Sequence, residues 1–127
     1  MKENILLVDD QPTFRSVLKD KLAQEGYKAI EVPNAELAVE VLKHKSIELV
    51  FISKHPLSQM SDIRTLKILN QNFPKIKTIC LADNVQRSRI VKYKQHGANE
   101  IISKSAIFEV TNSYLDKILS SEISSRA

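Results

Sequence analysis

The run Ile47-Glu48-Leu49-Val50-Phe51-Ile52-Ser53 constrains this chain more than any other stretch. Five of its seven residues are apolar, and polar residues follow at once. A short continuous apolar run with β-branched residues reads as a strand buried on both faces, the kind found inside a helix-covered parallel sheet. In such a sheet the last side chain of a strand meets the crevice at the carboxyl edge, where ligands bind in open α/β folds. Here that side chain is Ser53.

Four more runs have the same character. Asn4-Ile5-Leu6-Leu7-Val8 ends in two adjacent carboxylates, Asp9 and Asp10. Residues 27–32 read as a short strand centred on Ala29 and Ile30, residues 77–82 as a fourth, and residues 99–103 as a fifth that runs into Lys104. Between them lie helical patterns. Pro12 suits a first helical position, and Phe14, Val17, Leu18 and Leu22 fall on one helical face before Gly26 stops the helix. Asn34 caps a second helix with Ala35, Ala38, Val41 and Leu42 inward. Residues 54–61 contain Pro56 and read as a loop, after which Ser61 or Asp62 caps a helix carrying Ile63, Leu66 and Leu69 that ends before Pro74. Asn84 is the expected cap of a fourth helix ending near Gln95. A fifth, capped by Ser105, carries Ile107, Val110, Tyr114, Leu115, Ile118 and Leu119.

Five strands alternating with five helices imply a doubly wound α/β domain with helices on both faces of a parallel sheet. Right-handed crossovers leave few topologies, and the flavodoxin-like order 2-1-3-4-5 is the expected one. With 127 residues the chain is long enough for one domain with a full core, placed at residues 1–120. Residues 121–127 are polar and read as a tail or the start of a linker. Several classes are excluded. Cys80 is the only cysteine, which rules out an internal disulfide and a multi-cysteine zinc site, and its apolar surroundings make it a buried structural thiol. Gly26 and Gly97 are the only glycines, so neither a P-loop nor a G-x-G-x-x-G fingerprint exists. No apolar run is long enough for a membrane span and no signal sequence opens the chain, so a cytoplasmic protein is expected.

Three pieces, in this order and at this spacing, resemble the response regulator receiver domain of the CheY-like superfamily. They are Ile5-Leu6-Leu7-Val8-Asp9-Asp10, Glu48-Leu49-Val50-Phe51-Ile52, and Gly97-Ala98-Asn99-Glu100-Ile101-Ile102-Ser103-Lys104. The resemblance implies two-component or phosphorelay signal transduction. In that family the acidic pair holds Mg²⁺, an aspartate ending the third strand accepts a phosphoryl group, and a Thr or Ser ending the fourth strand senses it. A lysine ending the fifth strand pairs with the phosphoryl charge. Here the acidic pair falls on Asp9 and Asp10 and the lysine on Lys104, but the phosphoacceptor position falls on Ser53. The switch positions fall on Ala82 and Ile101, and Ser105 stands where a proline usually follows the lysine. Pro56 comes one residue early, and the backbone carbonyl of His55 is the position that would complete a metal site.

These departures sit on the phosphoryl chemistry. An acyl phosphate needs a carboxylate nucleophile, which Ser53 lacks. The expectation is therefore an atypical receiver that signals by protein–protein binding, is not an enzyme and requires no cofactor, with weak Mg²⁺ binding left open. The alternative is a receiver-derived phosphoprotein or enzyme that uses Ser53 as a hydroxyl acceptor. His55, two residues on, suggests a Ser/His hydrolase, but no G-x-S-x-G turn or third member accompanies it. Without a phosphoryl group, Lys104 is expected to form a salt bridge with Asp9 and Asp10. Asp9 and Asp10 also have a plain reading, since carboxylates suit the start of the next helix.

The fourth helix is basic, with Arg87, Arg89, Lys92 and Lys94, and the chain carries a formal net charge of +4. The plain reading is a solvated face. The sharper one is a docking surface for a histidine kinase or an output protein or domain, because receivers commonly use the fourth helix, fifth strand and fifth helix as an interface. The same face offers a route to a homodimer. No recognition-helix motif or aromatic interleaving supports direct nucleic-acid binding.

Overall fold

The computed structural model describes residues 3–54, 61–83, 85–109 and 111–120. Five parallel strands form one sheet in the order β2-β1-β3-β4-β5. The strands are β1 (Glu3–Val8), β2 (Lys28–Val32), β3 (Leu49–Ser53), β4 (Lys77–Ala82) and β5 (Glu100–Ser103). The helices are α1 (Pro12–Gln24), α2 (Ala35–His44), α3 (Asp62–Asn72), α4 (Arg87–Gln95) and α5 (Asn112–Ser120), with a 3₁₀ turn at Ala106–Glu109.

Side chains alternate across a strand with period two, and the central strands use both faces. Leu6, Val8, Val50, Ile52 and Cys80 pack with Ala38 and Leu42 of α2, Leu66 and Leu69 of α3, and Tyr93 of α4. Ile5, Leu7, Leu49, Phe51, Ile79 and Leu81 face Leu18 and Leu22 of α1 and Ile107 and Leu115 near the carboxyl end. The sheet is thus doubly covered, as the uninterrupted apolar runs require. Each fully buried Leu or Ile in these layers contributes about 1.5–3 kcal/mol.

Helix ends follow local chemistry. Asn34 accepts from the Leu37 amide and Ser61 from the Arg64 amide, each capping its helix. Past the end of α1, Gly26 adopts φ +91°, a left-handed conformation that closes the helix without a Cβ clash. Lys77 is buried, and its ammonium donates to the Ile118 and Leu119 carbonyls at 2.8 and 3.0 Å. It thereby satisfies carbonyls in the last turn of α5 with a positive charge at the negative end of the helix dipole.

Several expectations need correction. Val17 was expected to pack but is 48% exposed, because it lies at the margin of the apolar stripe of α1. The fourth helix begins at Arg87 with Gln86 as its cap position, whereas Asn84 lies outside the described residues. The carboxyl-terminal helix is not continuous from Ser105. A 3₁₀ turn holds Ile107, and α5 starts at Asn112, whose amide donates to Glu25 at 2.8 Å. Val110 and the polar tail at 121–127 lie outside the described residues.

Candidate functional site

The strand register alone brings the site together. Val8 pairs with Ile52 and Ser53 with Leu81, while Ala82 pairs with Ser103. Asp9, Ser53, Ala82 and Lys104 therefore line the carboxyl edge of four adjacent strands, β1, β3, β4 and β5. The Lys104 amide extends the ladder by donating to the Ala82 carbonyl at 2.9 Å.

Asp9 is almost completely buried, at 1% exposure. Its amide donates to the Val32 carbonyl at 3.1 Å, and its Oδ1 accepts the Gln11 amide at 2.7 Å. Arg15 on α1 donates from Nη1 to the Asp9 carbonyl at 2.8 Å, and its Nε lies 3.4 Å from Glu31 on β2. Burial pushes the Asp9 carboxyl above its usual range, against the Gln11 amide, the Ser53 hydroxyl and the charge of Lys104, while Asp10 adds to the rise.

Ser53 is 2% exposed. Its hydroxyl is near enough to Asp9 to favour the charged carboxylate. Ser53 Oγ and Asp9 Oδ2 are nevertheless both buried without a hydrogen bond of good geometry among the described residues. Ala82 is buried at the end of β4, a methyl group with nothing to donate. Ile101 is half-buried beside Cys80 and packs on the α2–α3–α4 side of the sheet.

Lys104 departs from expectation. Its Nζ stands 4.7 Å from the centre of the Phe14 ring, and no Lys104–Asp9 ion pair closes among the described residues. Phe14 is itself braced edge-on by Phe108, with centroids 6.1 Å apart. The cation is stabilised by the ring face and acts on Asp9 from a distance. Phe14 was legible as an inward helical residue but not as a seat for a lysine, since only the fold brings residues 14 and 104 together.

A divalent cation finds an incomplete donor set. Asp9 and Asp10 supply two carboxylates and Ser53 a neutral hydroxyl, and no cluster of three His, Cys, Asp or Glu side chains exists among the described residues. His55, whose carbonyl was the remaining expected ligand, lies outside the described residues, as does Pro56. Among the described residues, Asp9 and Asp10 are the charged oxygen donors offered to Mg²⁺, an ion that favours octahedral oxygen geometry.

Residues 5–114 match the family model of the response regulator receiver domain. The chain belongs to that family. This receiver domain is 31% identical over 105 residues to the chemotaxis protein CheY of Bacillus subtilis, covering 82% of this chain and 87% of that protein. It is 29% identical over 120 residues to the probable chemotaxis protein CheY of Rhizobium etli, covering 92% of each. Its fold superposes on that of a response regulator from Thermotoga maritima with a TM-score of 0.80, at 22% identity, covering 95% of this chain and all of that one. Receiver domains of two-component systems interact with histidine kinases and output domains. No described helix is long and apolar enough to cross a membrane.

The basic residues of the receiver's α4 are all exposed, as a docking or solvated face requires. Sequence reasoning missed the hydrogen bond that helps to anchor that helix. Tyr93 is its only buried residue, and the Tyr93 hydroxyl makes a short hydrogen bond to Asp62 at the start of α3. Burial first, then this bond and the charge of Asp62, push the Tyr93 phenol well above its ordinary range.

Proposed function

We propose that this receiver domain signals by binding a protein partner without running the aspartyl-phosphate cycle. One observation carries the reading: the side chain ending β3, at the carboxyl edge of the sheet, is a buried hydroxyl with no hydrogen-bond partner among the described residues, where a carboxylate nucleophile would have to stand. Two further features support it. Ala82 has no hydroxyl to follow a phosphoryl oxygen, and Lys104 rests on Phe14 rather than reaching across the pocket. Use of Ser53 as a hydroxyl acceptor is disfavoured by its burial, since a phosphodonor must reach Oγ. In this reading the domain is not an enzyme and requires no cofactor, and any Mg²⁺ at Asp9 and Asp10 binds weakly. The partner is a histidine kinase or an output protein that selects one conformation of the domain, and exposed α4, with Arg87, Arg89, Lys92 and Lys94, is the docking element.

Incubation with acetyl phosphate and Mg²⁺, followed by intact mass measurement, is expected to leave the protein unmodified. Beryllofluoride is expected to leave its amide NMR spectrum unshifted. A stoichiometric phosphoryl adduct mapped to Ser53 would replace this reading with that of a phosphoserine switch.

A further inference from the structure

Between the carboxyl end of β3 and α4 lies an open cleft of about 410 Å³, whose lining includes neither Asp9 nor Ser53. Lys54, Arg89 and Lys92 converge on it, and Ile63 supplies an apolar wall. One carboxylate is present, Asp62, and it is already engaged. Its Oδ1 accepts the Ile63 amide at 2.8 Å and its Oδ2 accepts the Tyr93 hydroxyl.

None of the three cations has an ion pair among the described residues, whereas Arg15, Lys19, Lys21 and Lys43 each meet a glutamate. The sequence of α4, Arg-Ser-Arg-Ile-Val-Lys-Tyr-Lys-Gln, contains no acidic residue to relieve them. Arg89 and Lys92 are three residues apart and share a helical face, and Lys54 faces them from the strand end. Three like charges without an ion pair among the described residues, gathered around one concavity, focus a positive potential there.

We propose that this cleft is a docking slot for an acidic peptide segment of the partner, with its carboxylates on Lys54, Arg89 and Lys92 and an apolar side chain against Ile63. A nucleic acid fits less well, because the one aromatic residue at the cleft, Tyr93, is buried and offers no face for stacking a base. The proposal rests on the reading of α4 as the docking element and adds the location and chemistry of what docks. Arg87 and Lys94 do not line the cleft, which allows the two ideas to be separated.

The test uses the full chain and a fluorescein-labelled hexaglutamate peptide, with hexaglutamine as control, read by fluorescence anisotropy at low salt. Binding is expected in the roughly micromolar-to-millimolar range and should weaken as salt is added. Lys54→Glu/Lys92→Glu and Arg87→Glu/Lys94→Glu change the net charge equally and alter surface charges that contribute little to stability. The cleft pair is expected to raise Kd by roughly tenfold or more, and the outer pair by about twofold or less. Amide shifts on titration should centre on residues 54, 63, 89 and 92. Equal losses from both pairs would overturn the slot and leave α4 as a diffuse basic face. A loss from the outer pair alone would move docking to the opposite side of α4. Hexaglutamate binding no better than hexaglutamine would remove the acidic partner, and tighter binding of a single-stranded oligonucleotide through the same residues would replace it.

Discussion

At the scale of single residues, Asp9 is a carboxylate kept from water, with one oxygen unpartnered among the described residues. Its folded-state pKa is raised from the ordinary 3.8, chiefly by burial. A raised pKa means that the folded protein holds this proton more tightly than the unfolded chain does. The group's contribution to stability is therefore complete below the ordinary carboxylate range and is lost as pH rises through the folded value. Asp9→Asn keeps an oxygen for the Gln11 amide and removes the buried charge. In EDTA at neutral pH it should raise Tm by a few degrees, and the gain should shrink towards about pH 4, where the parent carboxyl also carries a proton. A variant less stable than the parent at neutral pH would mean that Lys104 and the Gln11 amide already outweigh the burial cost. At this scale the sequence was informative about place and poor about contact. Asp9, Ser53, Ala82 and Lys104 were assignable because each follows a recognisable apolar strand. The Lys104–Phe14 contact was not, because it depends on how α1 leans over the end of β5.

At the scale of elements, α4 is held by few apolar residues. Its remaining large apolar residues are half-buried Ile90 and exposed Val91, so Tyr93 carries most of its attachment. Tyr93→Phe keeps the ring in the core and deletes the hydroxyl that meets Asp62. The loss should be about 1–2 kcal/mol, in the range for a hydrogen bond to a charged acceptor that is only partly shielded. Hydrogen exchange should report it locally, with α4 amides losing protection before those of β1 and β3. An unchanged Tm together with unchanged α4 protection would show that ring packing alone holds the helix. Periodicity predicted this helix but not its first residue, since the polar stretch before it offers several possible caps. It also joined the last two elements into one. The 3₁₀ turn and α5 share apolar spacing, and the Glu25–Asn112 contact that fixes the start of α5 spans 87 residues.

At the scale of the whole molecule, the strand order was legible because two-sided burial leaves a signature no exposed sheet has. Leu49, Val50, Phe51 and Ile52 are each at most 1% exposed, and only a central strand covered by helices on both faces uses all four. The same scaffold allows a restoration test. Ser53→Asp would place a third carboxylate beside Asp9 and Asp10, in a site where burial already disfavours one charge. Like-charge repulsion should lower Tm in EDTA, and Mg²⁺ should recover it, because a cation that binds only the folded state adds stability by mass action. The parent should show almost no such Mg²⁺ response. Lys104 is held on Phe14 by a contact of only about 0.5–2 kcal/mol, so a new charge at position 53 can draw it inward. Ser53→Asp should then become modifiable by acetyl phosphate in the presence of Mg²⁺. Adding Ala82→Thr restores a hydroxyl at the end of β4 and should enlarge the amide shifts that accompany modification, including those of α4. If Mg²⁺ fails to raise the Tm of Ser53→Asp, the two aspartates and the new carboxylate do not converge on one ion. The departure from receiver chemistry would then extend beyond the serine into the backbone that follows it.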